Sequence, residues 1–259
     1  MERHDYSGMA MTVDRYIVPL PWDSDFFGFK IARLVPRRSR SAELRMHLEE
    51  QWEQGIGLVY WGSDPNDAES QSAAVASQGL LVDRKTVFVR KLDGFAVRPS
   101  ERYEARSLPE DGWSGELASL ALQIGQYSRF RQDHHFSQAA WQKLYWTWME
   151  NSVNRAIADD VLVIRKAGFV VAVVTVRARG NIGEIGLLGV QESQRGAGLG
   201  RALVNSALGW FSERPLSHVR VVTQGNNRAA CQMYKACGFL VESVENFYHF
   251  WNPLHDSIQ

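Results

Sequence analysis

The sequence is short of several things, and each shortage excludes something. It has two cysteines in 259 residues, Cys231 and Cys237. If both lie on one helix, six positions put them about 9 Å apart along its axis and on different faces. A disulfide between them is then geometrically excluded. Without spaced histidine partners they do not make a zinc site either, and no metal is expected. Charge of one sign is missing too: Lys+Arg is 29 and Asp+Glu is 29. A nucleic-acid binder usually carries a basic surplus, so no such partner is expected, although a local basic patch can still hold a phosphorylated small molecule. No apolar run approaches the roughly 18 residues of a spanning helix, which leaves no membrane partner. Met1 to Met11 is polar with no signal-peptide core, so the cytoplasm is the expected location. There is no internal repeat and no low-complexity tract.

What remains is an ordinary globular composition, 45% hydrophobic and 22% charged. The length suits one large domain or two small ones, with a sizeable core. The first half reads as a small α/β unit. Tyr16–Leu20 is a strand, Trp22–Gly28 an aromatic turn, and Ser41–Glu53 a helix with Ser41 as N-cap. Ile56–Trp61 is a strand, Asp64–Asp67 a turn, Ala68–Gln78 a helix, and Leu80–Lys91 one or two strands. Leu92–Ser100 has linker composition. It divides the chain into a small α/β domain, 1–94, and a second domain, 101–259. The second half alternates strands near Tyr103–Arg106, Val161–Arg165, Phe169–Arg177, Ile182–Val190, Val219–Thr223 and Phe239–Phe250 with helices. Those helices are Gly115–Leu122, Gln138–Val153, Gly198–Phe211 and Asn227–Cys237. Such alternation indicates a layered α/β domain.

The strongest local signal runs from Val190 to Gly200, VQESQRGAGLG. A strand ends, a glycine-rich loop follows, and a helix starts at once. Backbone N–H groups at such a helix start suit a diphosphate, and glycines let its oxygens approach closely. The loop is not a Walker loop, because it ends in Gly200-Arg201-Ala202. Nor is it a dinucleotide fingerprint, since the glycines are spaced G-x-G-x-G and Val219–Val222 holds no acid. The pattern Arg-x-x-Gly-x-Gly, met by Arg195, Gly198 and Gly200, resembles the pyrophosphate loop of the GNAT acyltransferases. Asn227 to Phe239, NRAACQMYKACGF, resembles the same superfamily's second motif, N-x-x-A-x-x-x-Y-x-x-x-G-F.

The resemblance implies a GNAT fold, a mixed, mostly antiparallel sheet flanked by helices, preceded by the smaller truncated α/β domain. It implies acetyl-CoA, or another acyl-CoA, as co-substrate. The N–H groups of Arg195, Gly196, Ala197, Gly198, Gly200 and Arg201 would cradle the pyrophosphate. Leu188 and Val190 would pair their backbone with the pantetheine arm, and Asn227 would hydrogen-bond it. Tyr234 would protonate the leaving thiolate. Each residue also has a plainer role available. Tyr234 could be a packed helix aromatic, Arg195 a loop cap, Asn227 a helix N-cap, and Cys231 packing.

Further segments resemble the sugar-nucleotide branch, the family of TDP-fucosamine acetyltransferase and related nucleotide-linked amino-sugar N-acyltransferases. They are Pro19–Gly28, Ser128–Arg131, Trp148–Val153, Ile185–Leu188 and Thr223–Asn227. This implies a TDP-linked amino sugar as acceptor, seated between the domains. Arg129 and Arg131, on a loop, would meet its diphosphate. Phe26, Phe27 and Phe130 would stack on thymine or sugar, although Phe26 and Phe27 could equally plug an interface. Asp83 would orient or deprotonate the ammonium, and Gln224 would hydrogen-bond the acceptor. His134 and His135 follow that loop and titrate in the right range to take a proton, with a surface position as the alternative. The aromatic strand Phe247–Trp251 could pair across a homodimer. Two other functions compete: a peptide or lysine acetyltransferase, and a non-catalytic acyl-CoA-binding sensor.

Overall fold

The computed structural model describes residues 16–92, 103–109 and 112–254. In chain order the elements are β1 (Ile17–Pro19), α1 (Pro21–Phe27), β2 (Ile31–Leu34), α2 (Ser41–Glu53), β3 (Leu58–Ser63), α3 (Ala68–Ala76) and β4 (Leu80–Lys91). There follow β5 (Arg106–Ser107), α4 (Gly115–Ile124), α5 (Arg129–Gln132), α6 (Gln138–Val153), β6 (Asp160–Lys166), β7 (Phe169–Arg179) and β8 (Ile182–Val190). The last are α7 (Leu199–Ser212), β9 (His218–Gln224), α8 (Arg228–Ala236) and β10 (Leu240–Trp251). Two compact units result. Among the described residues one comprises 16–85, 132–137 and 244–254, the other 86–92, 103–109, 112–131 and 138–243. The expected division between 94 and 101, and the Met1–Met11 segment, fall outside the described residues. Among the described residues no helix is long and apolar enough to cross a membrane.

In the first unit β1 lies antiparallel to β2, β2 parallel to β3, and β3 antiparallel to the end of β10, with Leu58 opposite Trp251. Every residue of β3 is buried, which its near-continuous apolar run anticipates for a strand covered on both faces. Leu44 and Leu48 of α2 and Ala73 and Ala74 of α3 pack with Val59, Trp61, Tyr248 and Phe250. Arg40, not Ser41, occupies the N-cap of α2, and the Glu43 carboxylate accepts its N–H at 3.4 Å. Two other expectations need correction here. Trp22–Gly28 is helical, because Pro21 is pre-set for a first helical position and Gly28 closes the helix with φ 80°. Its crowded aromatics conceal the helical period. The four-residue β2 is too short to display an alternation. The aromatic stretch of β10 is buried with β3 on one edge and β4 on the other, so it has no edge for pairing across a homodimer.

One buried carboxylate ties Gln132–Ser137 into this unit. Asp133 Oδ2 accepts from His249 Nδ1 at 2.6 Å and Trp251 Nε1 at 2.9 Å. Its Oδ1 accepts the His135 N–H at 3.0 Å and lies 2.8 Å from His135 Nδ1. Tyr60 stacks on the His249 ring, and His135 stacks on Trp251. Burial by itself would raise the Asp133 pKa. The hydrogen bond and charge of His249, with the His135 N–H and the Trp251 indole, outweigh it and hold the carboxyl below its ordinary range.

The second unit is a mixed sheet. β5, β6, β7 and β8 pair antiparallel in that order, β8 pairs parallel with β9, and β4 follows β9. Val170–Val176 of β7 is buried throughout, and both α4 and α7 pack on β7 and β8. A Cβ on Gly183 would meet Phe211 of α7 at 2.7 Å, and one on Gly189 would meet Ile124 of α4 at 2.7 Å.

The first unit generates a prediction. A carboxyl with a depressed folded pKa contributes stability above its unfolded pKa of about 4 and loses it as pH falls toward the folded value. Asp133→Ala should cost about 3–5 kcal/mol at neutral pH, read by urea denaturation. The difference from wild type should narrow progressively below about pH 4. A difference that stays constant down to pH 2 would rule out an ionised Asp133 in the fold.

Candidate active site

The site begins where β8 leaves its neighbour. Parallel pairing with β9 runs from Ile182↔His218 to Ile185↔Val221 and stops, although β8 continues to Val190 and β9 to Gln224. Against β7 the register shifts at the same place: Val176 faces Ile185 but Val174 faces Leu188. Gly186 and Leu187 thus oppose the single residue Thr175, which is a β-bulge. The Leu187 N–H it displaces is taken by Thr175 Oγ1 at 2.8 Å, in a buried position. The bulge also resets which face each side chain occupies. That is why Gly183 and Gly189, six residues apart, meet different helices.

Ligands of open α/β sheets bind beyond the carboxyl ends of parallel strands. Here the chain leaves Val190 through a short turn at Glu192–Gln194. It then passes Gly196 and Gly198, with φ 79° and 87°, and enters α7. Both glycines hold a left-handed conformation that a side chain would strain. Gly198 is the N-cap of α7, and no side chain caps that helix. The first-turn N–H groups of Leu199, Gly200 and Arg201 have no intrahelical acceptor, and the helix dipole adds positive potential beside them. Arg195 turns back on the strand end: its Nε donates to Val190 O at 3.2 Å and its Nη2 to Gln123 Oε1 at 3.4 Å.

β9 leads into α8, which rests on the first turn of α7: a Cβ on Gly200 would lie 2.6 Å from Met233 Sδ. Asn227 caps α8, its Oδ1 accepting the Ala230 N–H at 3.1 Å. This leaves its amide nitrogen as the end that can reach a ligand. Tyr234 is 4% exposed and packs between the rings of Phe88 and Phe239. Burial, then the neighbouring Cys237 and Cys231, push its phenol pKa well above the ordinary value. The hydroxyl is therefore a neutral O–H throughout the physiological range. Arg201 reaches the Cys237 thiol, whose own pKa is raised by burial. Both cysteines are free thiols. The backbone carbonyl of Gln224 closes the strand end, accepting the Asn227 N–H at 3.0 Å.

The expected acceptor residues divide between the units. Gln224, Arg129 and Arg131 share the second unit with Leu188, Val190, the glycine loop, Asn227 and Tyr234, whereas Phe26, Phe27 and Asp83 belong to the first. Arg129 and Arg131 stand on the short helix α5, not on a loop. Arg131 is exposed, donates to Gln126 O at 3.0 Å, and lies over the Trp141 ring. Phe130 is corrected: its ring is 1% exposed and packs against Trp148, so it presents no face to a base or sugar. Phe27 lies 4.8 Å from Phe136, and Phe26 stacks on Trp22. Asp83 is half-buried on β4. His134 is exposed and His135 half-buried. With Asp133 they bring three ligand-type atoms within 4.8 Å of one another. Both Asp133 oxygens are already committed to His249, Trp251 and His135, which makes this carboxylate a structural group.

Residues 124–239 match the Acetyltransferase (GNAT) family. The match takes in the bulge, the glycine loop and the Tyr234 helix. The chain is similar to dTDP-fucosamine acetyltransferase of Escherichia coli, 33% identical over 130 residues, 49% of this chain and 55% of that protein. It is similar to mycothiol acetyltransferase of Thermobispora bispora, 38% identical over 71 residues, 27% of this chain and 24% of that protein. Among solved structures, a GCN5-related N-acetyltransferase from Sphaerobacter thermophilus superposes with a TM-score of 0.64 at 16% identity, covering 93% of this chain and 78% of that one. The chain spans about half or less of the length of these curated relatives. The match to the GNAT family thus covers residues 124–239, and the expected GNAT fold is the fold observed.

The bulge can be tested directly. Thr175→Val keeps the shape of the side chain but leaves the Leu187 N–H buried without an acceptor, a loss of about 1–3 kcal/mol. Thr175→Ser should recover most of it in the same denaturation experiment. Equal losses for both variants would show that packing, not the hydroxyl, matters at this position.

Proposed function

We propose that this protein is an acyl-CoA-dependent N-acyltransferase that moves an acyl group, most simply acetyl, to the amine of a TDP-linked dideoxy amino sugar. The observation that carries the transferase reading is the uncapped start of α7 beyond the left-handed Gly196 and Gly198, with Tyr234 on the adjoining helix. The similarity to dTDP-fucosamine acetyltransferase over half the chain supports the acceptor class.

In this reading the N–H groups of residues 196–201 hold the coenzyme A pyrophosphate. The edge of β8 at Leu188 and Val190, beyond its pairing with β9, receives the pantetheine arm as an added strand. The Asn227 amide nitrogen steadies the arm. The neutral amine attacks the thioester carbonyl carbon, so a C–N bond forms and the carbonyl electrons move to oxygen. An N–H near Leu188 stabilises that oxyanion. Collapse breaks the C–S bond, and the Tyr234 O–H protonates the departing thiolate. The proton released by nitrogen passes to water. Arg129 and Arg131 supply cations for the acceptor's diphosphate, and Gln224 a hydrogen bond.

Thiol release from acetyl-CoA with a panel of TDP-amino sugars, and lysine peptides alongside, tests the acceptor. Turnover confined to one TDP-sugar is the expected result. Turnover only with peptides would replace the acceptor class, and acyl-CoA binding without turnover would favour a sensor. Tyr234→Phe should lower kcat by about 10²–10³-fold while leaving the affinity for acetyl-CoA intact. Because the phenol is shifted upward, kcat should rise with amine deprotonation and show no descending limb below about pH 10. A descending limb near pH 8 that disappears in Tyr234→Phe would place the phenol's pKa where the structure does not.

A further inference from the structure

α4 approaches β8 closely at Gly189, where a Cβ would lie 2.7 Å from Ile124 Cγ1. This contact sets the preceding residue, Gln123, beside the chain as it leaves the strand. Gln123 Oε1 accepts the Glu192 N–H at 2.8 Å and an Arg195 Nη2 proton at 3.4 Å. Its amide nitrogen donates to Ser119 Oγ, one turn back on α4, at 3.3 Å. The Glu192 N–H and the Arg195 guanidinium can only donate, and this settles which end of the amide faces the loop. Two other ties act on the same four residues: Lys166 Nζ donates to Gln194 Oε1 at 2.8 Å, and Arg195 Nε to Val190 O at 3.2 Å. Residues 192–195 are thus fastened to α4, to the end of β6 and to the end of β8. The two left-handed glycines come directly after them.

We propose that Gln123 is a positioning residue for the donor's pyrophosphate. It does not touch the donor. It fastens the approach to the glycine loop, so that the N–H groups of residues 196–201 are presented in one arrangement before the donor arrives. The physical reason is entropic. Gly196 and Gly198 are the least restrained residue type, and ordering them at the moment of binding would cost affinity. A latch outside the cradle lowers that cost in advance. The proposal rests on the pyrophosphate reading given above, but not on the identity of the acceptor.

The test uses the full-length chain and probes with and without the pyrophosphate. Binding of CoA, dephospho-CoA and pantetheine is measured by calorimetry for wild type and Gln123→Met, which keeps the side chain's length but has no acceptor oxygen. Thermal midpoints are recorded in parallel. Gln123→Met should weaken CoA and dephospho-CoA by about three- to tenfold. Pantetheine affinity and the thermal midpoint should stay unchanged. In turnover the KM for acetyl-CoA should rise by the same factor at constant kcat. Equal weakening of all three probes would mean a general structural lesion, and no weakening of any would mean that the latch does nothing; either overturns the proposal. Wild type that binds CoA no better than pantetheine would remove the cradle itself, and both readings would fall together.

Discussion

The candidate site depends on one break in backbone pairing, where β8 leaves β9 after Ile185. Buried backbone N–H and C=O groups must be bonded to something, so a strand cannot simply depart from its neighbours. In this protein the departure is made tolerable on the β7 side by a side chain. Thr175 accepts the Leu187 N–H that the bulge has displaced. With β8 bent away, Gly186 to Val190 extends past its pairing with β9. The chain then turns through two left-handed glycines into a helix that no side chain caps. Strand edge, glycine loop and helix start follow one another without interruption, and each is usable because the previous one is there.

Two buried polar groups show how neighbours decide whether burial neutralises a group. Burial is the largest influence on both Asp133 and Tyr234. Asp133 stays ionised because His249, Trp251 and His135 all direct protons at its oxygens. Tyr234 has rings and two thiols around it, and the thiols add to the effect of burial, so it stays neutral. The first arrangement suits a structural tie. The second suits a proton donor that must not ionise early.

Much of this was legible in the chain. The boundaries of α2, α6 and β8 follow from helical and strand periods, with capping and turn residues at their ends. The glycine loop and the Tyr234 helix are short, contiguous patterns whose chemistry is local. What escaped the sequence was short or distant. α1, β2 and α5 span seven residues or fewer, too few to display a period. Phe130 was read as a ligand-facing ring because a segment that looks like a loop does not reveal that its aromatic side chain points inward.

The sequence by itself determined the class of the second unit and the places of the glycine loop and the candidate acid, because glycine spacing and helix period need only neighbouring residues. The tertiary structure alone decided which distant residues meet. Gln123 meets Glu192 across 69 positions, Thr175 meets Leu187 across a bulge, and Asp133 meets His249 across 116. Contacts at such separations leave no periodic trace in a single chain. They arise only when sheet register and helix packing bring the partners within hydrogen-bond distance, and that distance is set by side chains, such as the missing Cβ of Gly189, that have no chemistry of their own.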